Sequence, residues 1–287
     1  MTDSNKEHWD LVIKPQSKLF TLNLKEVWTY RDLVQMYIRR DIVTMYKQTI
    51  LGPLWFVIQP LFTSILFMFV FGGVAQISTD GLPQMLFYLS GILTWTYFAD
   101  CLNKSSGTFS SNAGVFSKVY FPRLVVPISS IISNLVKLGI QLLLFLGIYL
   151  YFYLNGAKVH FTEYIFLFPV LIMMSAGLGF GIGIIVSSLT TKYRDLAILF
   201  TFIVQLWMYV TPVIYPLSIM EENYAKYMWI IQLNPMTSIV ETTRYAFMGV
   251  GTFTWASLLY SFVFTVVIML IGIITFNKIE RRFIDIV

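Results

Sequence analysis

Charge is scarce in this chain, and the places where it is missing carry the first conclusion. Only 12% of the 287 residues are Asp, Glu, Lys or Arg, against 57% hydrophobic residues. That is too little polar surface to coat a soluble globule. Residues 48–79, 81–99, 138–157, 164–191, 196–220 and 245–277 hold no charged side chain at all. Each of these windows is 19 to 33 residues long, enough for an α-helix to cross a hydrocarbon core of about 30 Å. The chain reads as an all-α polytopic membrane protein with six transmembrane helices.

Reactive chemistry is equally sparse. The single cysteine, Cys101, excludes an internal disulfide framework and a Cys-based metal site. The two histidines, His8 in the polar N-terminal segment and His160 in an outer loop, do not pair as metal ligands. There is no H-E-x-x-H helix, no G-x-S-x-G elbow and no carboxylate pair within a span. Little charge inside the spans also argues against an ion-driven carrier, which places ionisable residues there. No G-x-x-x-x-G-K-[ST] loop is present to cradle ATP phosphates, so any active transport draws its energy from a partner chain. Residues 1–47 are polar and mixed in charge, unlike a secretory signal.

What charge there is has a pattern. The net charge is +5, but sixteen of the 20 Lys and Arg fall in residues 1–47, 104–123, 192–194 and 278–282. Those are one set of alternate loops. The other set holds Lys158, Lys226 and Arg244, and Lys137 sits near a helix end. The positive-inside rule then puts both termini in the cytoplasm. This distribution speaks for orientation in a membrane, not for nucleic-acid binding.

Along the chain, Val27, Tyr30, Leu33, Val34, Tyr37, Ile38 and Ile42 recur at three- and four-residue spacings before the first span. With Arg31, Asp32, Gln35, Arg39 and Arg40 opposite, residues 26–50 form an amphipathic interfacial helix. Periodicity alone fits a passive lipid anchor as well as a moving element. Pro53 suits the first helical position of span 1, and Pro60 frees the carbonyl of Phe56 and predicts a kink. Asp100 and Lys104 are spaced for a pair at the inner end of span 2. In span 4, Ser175, Gly179, Gly183 and Ser187 fall on one face at four-residue steps, a stripe for close helix packing and not a nucleotide loop. Asp195 suits the positive end of span 5. Residues 211–252 are too polar to cross and too apolar for an ordinary loop; two short helices broken at Asn234-Pro235 fit, dipping back toward the membrane.

Aromatic residues make up 17% of the chain. Interface belts account for most of them one by one. Trp55, Phe56, Phe62, Tyr88, Trp95, Tyr97, Trp207 and Tyr209 are candidates for more, because several sit beside helix breaks and aromatic faces can stack on sugar rings.

The segments "RRDIVTMYKQTILGPLWFVIQPLF", "SKVYFPRLVVPISS", "KYRDL" and "LNPMTSIVETTRYAFMG", in that order on a six-span plan, resemble the ABC-2-type permeases of polysaccharide export. The resemblance is to permease subunits for O-antigen, with teichoic acid and capsular exporters as near relatives, and it covers about residues 25–280. It implies a cytoplasmic tail at 1–25, a gate helix at 26–50, a permease domain at 51–279 and a cytoplasmic tail at 280–287. It implies a coupling segment at 108–124 and outer gate helices at 217–250. The gate helix would meet lipid phosphates through Arg39, Arg40 and Lys47. Phe116, Lys118, Tyr120, Phe121 and Arg123 would dock on an ATPase. The outer gate would use Asn234, Pro235, Glu241 and Arg244, and the eight aromatics above would line the conduit.

The implied assembly is a homodimer in a bacterial cytoplasmic (inner) membrane with two copies of a cytoplasmic ABC ATPase subunit. ATP and Mg would be bound by that partner, with no cofactor, no metal and no catalytic residue on this chain. The implied cargo is an undecaprenyl-pyrophosphate-linked glycan, among membrane lipids. An ABC-2 permease for a drug or a non-glycan lipid is the alternative reading.

Overall fold

The computed structural model describes residues 24–47, 51–191, 193 and 195–286. The expected N-terminal tail lies almost wholly outside the described residues, as do 48–50 and two basic residues of "KYRDL", Lys192 and Arg194.

Among the described residues the regular structure is helical throughout. Helices α1 (Leu24–Thr29) and α2 (Arg31–Tyr46) form the expected amphipathic element in two pieces, joined at Tyr30. Val27 and Tyr37 are buried, and Leu33 and Val34 pack beside them, so the apolar face seen in the sequence is the covered one. A 3-10 turn over Gly52–Leu54, with Pro53 at its start, leads into α3 (Trp55–Phe67). The helix continues through Pro60. The departure from α geometry comes about two turns later, where Met68–Val74 widen into a π-helix. There the Ala75 N–H donates to the Val70 carbonyl at 2.9 Å, five residues back.

Helix α4 (Gln84–Ser106) is followed at once by α5 (Thr108–Phe116), then by α6 (Val125–Leu154). A 3-10 segment, Glu163–Leu167, enters α7 (Phe168–Thr190). Helix α8 (Leu196–Val210), with Asp195 at its N-cap position, is 15 residues long, about 22 Å at 1.5 Å per residue. Thr211 is extended, as a residue before proline tends to be, and closes it. The outer segment forms α9 (Leu217–Asn223), α10 (Met228–Leu233) and α11 (Pro235–Met248). Helix α12 (Trp255–Ile286) runs on through most of the expected C-terminal tail. Among the described residues five helical stretches are long and apolar enough to cross a membrane: Gly52–Val74, Gln84–Ser106, Val125–Leu154, Glu163–Thr190 and Trp255–Glu280. The expected fifth span, α8, is the short one, because Pro212 and Pro216 follow so soon.

The core is built on α4 and α7. A side-chain carbon at Gly179 would stand 2.8 Å from the Phe98 carbonyl, and one at Gly183 would stand 2.7 Å from that of Leu102. These helices therefore touch backbone to backbone, as small-residue stripes allow. Ser187, the last member of the stripe, accepts the Phe109 N–H through Oγ at 3.1 Å. The opposite face of α7 meets α12, where Gly181 faces Met269.

Candidate functional site

The outer segment is anchored by α11. Asn234 caps it, accepting the Met236 N–H at 3.0 Å and donating through Nδ2 to Thr211 Oγ1 at 2.8 Å. Such caps satisfy donors that the first helical turn leaves open. Two to three turns further in, Arg244 Nη1 donates to Glu241 Oε1 at 2.8 Å, and the two side chains are only 2% and 3% exposed. Nη2 donates to the Val213 carbonyl at 2.7 Å, and the guanidinium lies 3.7 Å from the centre of the Phe87 ring. The other Glu241 oxygen accepts the Thr252 N–H at 3.1 Å. Burial raises the Glu241 carboxyl above the ordinary range and lowers Arg244, with the attraction between them opposing both shifts. Asn234, Pro235, Glu241 and Arg244 are thus buried pins that fix α11 to α4 and to the turn after α8.

At the other end of α4, the candidate docking residues divide into two groups. Phe116, Phe121 and Arg123 turn inward. Arg123 Nη1 donates to the Glu280 carbonyl at 2.9 Å, and its guanidinium lies 5.4 Å from the Phe116 ring centre. Burial lowers the Arg123 pKa, with Glu280 working against that. Phe121 reaches Tyr37 of α2, with ring centres 6.1 Å apart. Lys118 and Tyr120 stand outward at the tip. On α2, Arg39 and Arg40 are exposed, as is Lys47 just beyond it. Arg40 folds over the Tyr37 ring at 4.3 Å and pairs with Asp41 at 2.8 Å.

The eight candidate conduit aromatics also separate. Trp55, Phe62 and Tyr209 are more than half exposed, while Phe56 and Trp207 are partly covered. Tyr88, Trp95 and Tyr97 are buried in the core of α4 and offer no surface to a passage in this conformation. Trp95 instead packs edge-on against Trp207 at 6.1 Å. The exposed members lie on two helices that the protomer leaves nearly bare. In the Gly52–Val74 stretch only Pro60, Ser64 and Phe67 are buried, against most of Gln84–Ser106, and on α8 only Val204 is buried.

One pair differs from its expected partners. Asp100 binds Lys137 of α6, Nζ to Oδ2 at 2.6 Å, in place of Lys104. Lys137 was expected near a helix end. Helix α6 begins at Val125, so Lys137 stands more than three turns inside it, with its Nζ 5.8 Å from the Phe56 ring centre. The charge-free window opens at 138, just after Lys137, so the window alone leaves this lysine at an edge.

Residues 32–248 match the family model described as ABC-2 type transporter. The chain is 29% identical over 258 residues to "O-antigen export system permease protein RfbA" of Klebsiella pneumoniae, covering 89% of this chain and 95% of that protein. It is 26% identical to a protein of the same name from Myxococcus xanthus, over 78% of this chain and 83% of the other. "Polysialic acid transport protein KpsM" of Escherichia coli is 25% identical, over 86% and 93%.

Proposed function

This chain belongs to the ABC-2 type transporter family, and from that premise we propose that it is the membrane permease subunit of an ATP-driven exporter of a lipid-linked polysaccharide of O-antigen type. The observation that carries this reading is the nearly end-to-end likeness to relatives named for O-antigen export and polysialic acid transport. The chemistry agrees: the chain has no phosphate-cradling loop, so ATP and Mg belong to a separate ATPase subunit.

The finer mechanism rests on placement. Two copies of the chain pair across the bare faces of α3 and α8, which hold the exposed Trp55, Phe62 and Tyr209. Apolar aromatic faces there let a glycan slide without a deep binding minimum. Six crossings, with α8 the shortest, keep both termini in the cytoplasm, the orientation that the Lys and Arg distribution favours. The anionic head of an undecaprenyl-pyrophosphate-linked glycan meets Arg39, Arg40 and Lys47 at the inner surface. Lys118 and Tyr120 receive the stroke of the ATPase, and the inward contacts from Phe121 to Tyr37 and from Arg123 to Glu280 pass it to α2 and α12. On the outer side, α9 to α11 gate the exit.

The test is co-purification with the ATPase subunit and assay of the assembly. ATP turnover that depends on this chain, with lipid-linked glycan trapped inside cells that lack it, supports the reading. Normal glycan export without the chain, or transport of a drug in its place, defeats it. Replacing Arg39 and Arg40 by Ala together reduces export without lowering membrane insertion, and unchanged export removes their role.

A further inference from the structure

Lys137 is the one Lys or Arg within the five long apolar stretches that lies more than a turn from an end. At 1.5 Å per residue it stands about 25 Å from the outer end of α6, and Asp100 about 24 Å from the outer end of α4. The two depths agree, and they put the pair about 9 Å above the inner end of α4, inside the apolar zone. Charge at that depth is costly and points to a pathway.

Three observations make it a site and not a sealed pin. The pair is open, with Lys137 15% and Asp100 28% exposed, against 2% and 3% for Arg244 and Glu241. It borders the first turn of α3, since Phe56 stands 5.8 Å from Nζ. It is also connected to the surface helix. Ser130 lies seven residues before Lys137, on the same face of α6 two turns below, and its Oγ donates to Asp41 Oδ2 of α2 at 3.5 Å. Asp41 in turn holds Arg40. Polar groups therefore lead from the basic surface helix, past Ser130, to an ammonium about 10 Å deeper.

We propose that Lys137 is a second phosphate-binding site within the permease, one that takes the diphosphate of the lipid-linked substrate by exchanging Asp100 for a phosphate oxygen. The proposal rests on the polysaccharide-export reading above. An unpaired ammonium at this depth would be strongly unfavourable. Asp100 compensates it while the site is empty, and a phosphate oxygen replaces that compensation when substrate arrives, so Lys137 is paired throughout. The same carboxylate repels anions that bind weakly. A diphosphate, with more charge to offer Nζ, displaces it where the single phosphate of a bulk phospholipid does not.

The experiment uses the full-length chain in phosphatidylcholine nanodiscs with labelled polyprenyl diphosphate as the probe. Lys137→Met alone strands Asp100 and can unfold the protein, so the informative variant is Lys137→Met with Asp100→Asn, which removes both charges together. With the unfolding midpoint of the native protein retained, this variant binds the probe about tenfold more weakly or worse, the loss of one charged hydrogen bond. Asp100→Asn alone binds it more tightly. Competition separates the sources: unlabelled polyprenyl diphosphate displaces the probe, while phosphatidylglycerol and inorganic pyrophosphate do so far less. Equal binding by the folded double variant and the native chain overturns the site and leaves the export reading intact. Displacement by phosphatidylglycerol as effective as by the diphosphate lipid overturns its assignment to substrate. If the native chain does not bind the probe at all, the substrate class and the site fall together.

Discussion

Among the described residues, two ion pairs that sit among apolar helices are built to opposite specifications. Glu241 and Arg244 are sealed. The guanidinium also holds the Val213 carbonyl and faces the Phe87 ring, and the carboxylate also accepts the Thr252 N–H. Asp100 and Lys137 hold each other, with the ammonium over the Phe56 ring, and both are partly open. A pair closed off like the first works as a fastener; it ties α11, α4 and the turn after α8 into one unit. A pair with an open side can change partners. The chemistry is the same in both, and accessibility assigns the role.

The sharpest way to break the contrast is to unfasten the sealed pair. Arg244→Met leaves the Glu241 carboxylate buried without its cation, a change that costs about 3–5 kcal/mol. The expected result is little folded protein in detergent, read as a large fall in the thermal midpoint. Adding Glu241→Gln restores most of that loss, because a neutral pair has no stranded charge. If Arg244→Met alone unfolds no sooner than the double variant, the pair is not a fastener.

A smaller effect comes from the space that lets Arg244 in. A side-chain carbon on Gly91 would stand 2.9 Å from Arg244 Nη2 and 3.0 Å from the Val213 carbonyl. Gly91→Ala therefore pushes on Arg244 and on the carbonyl it holds at once, a crowding change worth about 1–3 kcal/mol. The fall in midpoint should shrink in an Arg244→Met, Glu241→Gln background, where the guanidinium is gone and the Val213 backbone alone stands in the way. A fall of the same size in both backgrounds would mean that Gly91 serves only α4 packing. Next in size is Asn234→Ala, which removes the cap of α11 and the bond to Thr211 and costs about 1 kcal/mol.

Sequence periodicity exposed some of this and concealed the rest, for physical reasons. The stripe of Ser175, Gly179, Gly183 and Ser187 was legible because small side chains at four-residue steps do only one thing in a membrane helix, and α4 lies against them. The break at Asn234-Pro235 was legible because capping chemistry is local. Tyr88, Trp95 and Tyr97 were not separable from Trp55 and Phe62, since a helix without charge has no polar face to mark which side is covered. Asp100 was expected to pair with Lys104 along its own helix. Its actual partner, Lys137, depends on the relative height of two helices, which no local pattern encodes.

The smallest expected effect falls on the open pair, and it completes the comparison. Removing both charges, with Asp100→Asn and Lys137→Met, takes away one salt bridge together with the cost of holding its two charges among apolar helices, and replacing such a pair whole is often close to neutral. It leaves no stranded charge behind. The thermal midpoint should stay close to that of the native chain and well above that of Arg244→Met. Export by the assembled transporter should nonetheless fall, because the function of this pair lies in exchange. A protein as unstable as the Arg244→Met variant would show that Asp100 and Lys137 are a second fastener, and the distinction drawn from their exposure would be lost.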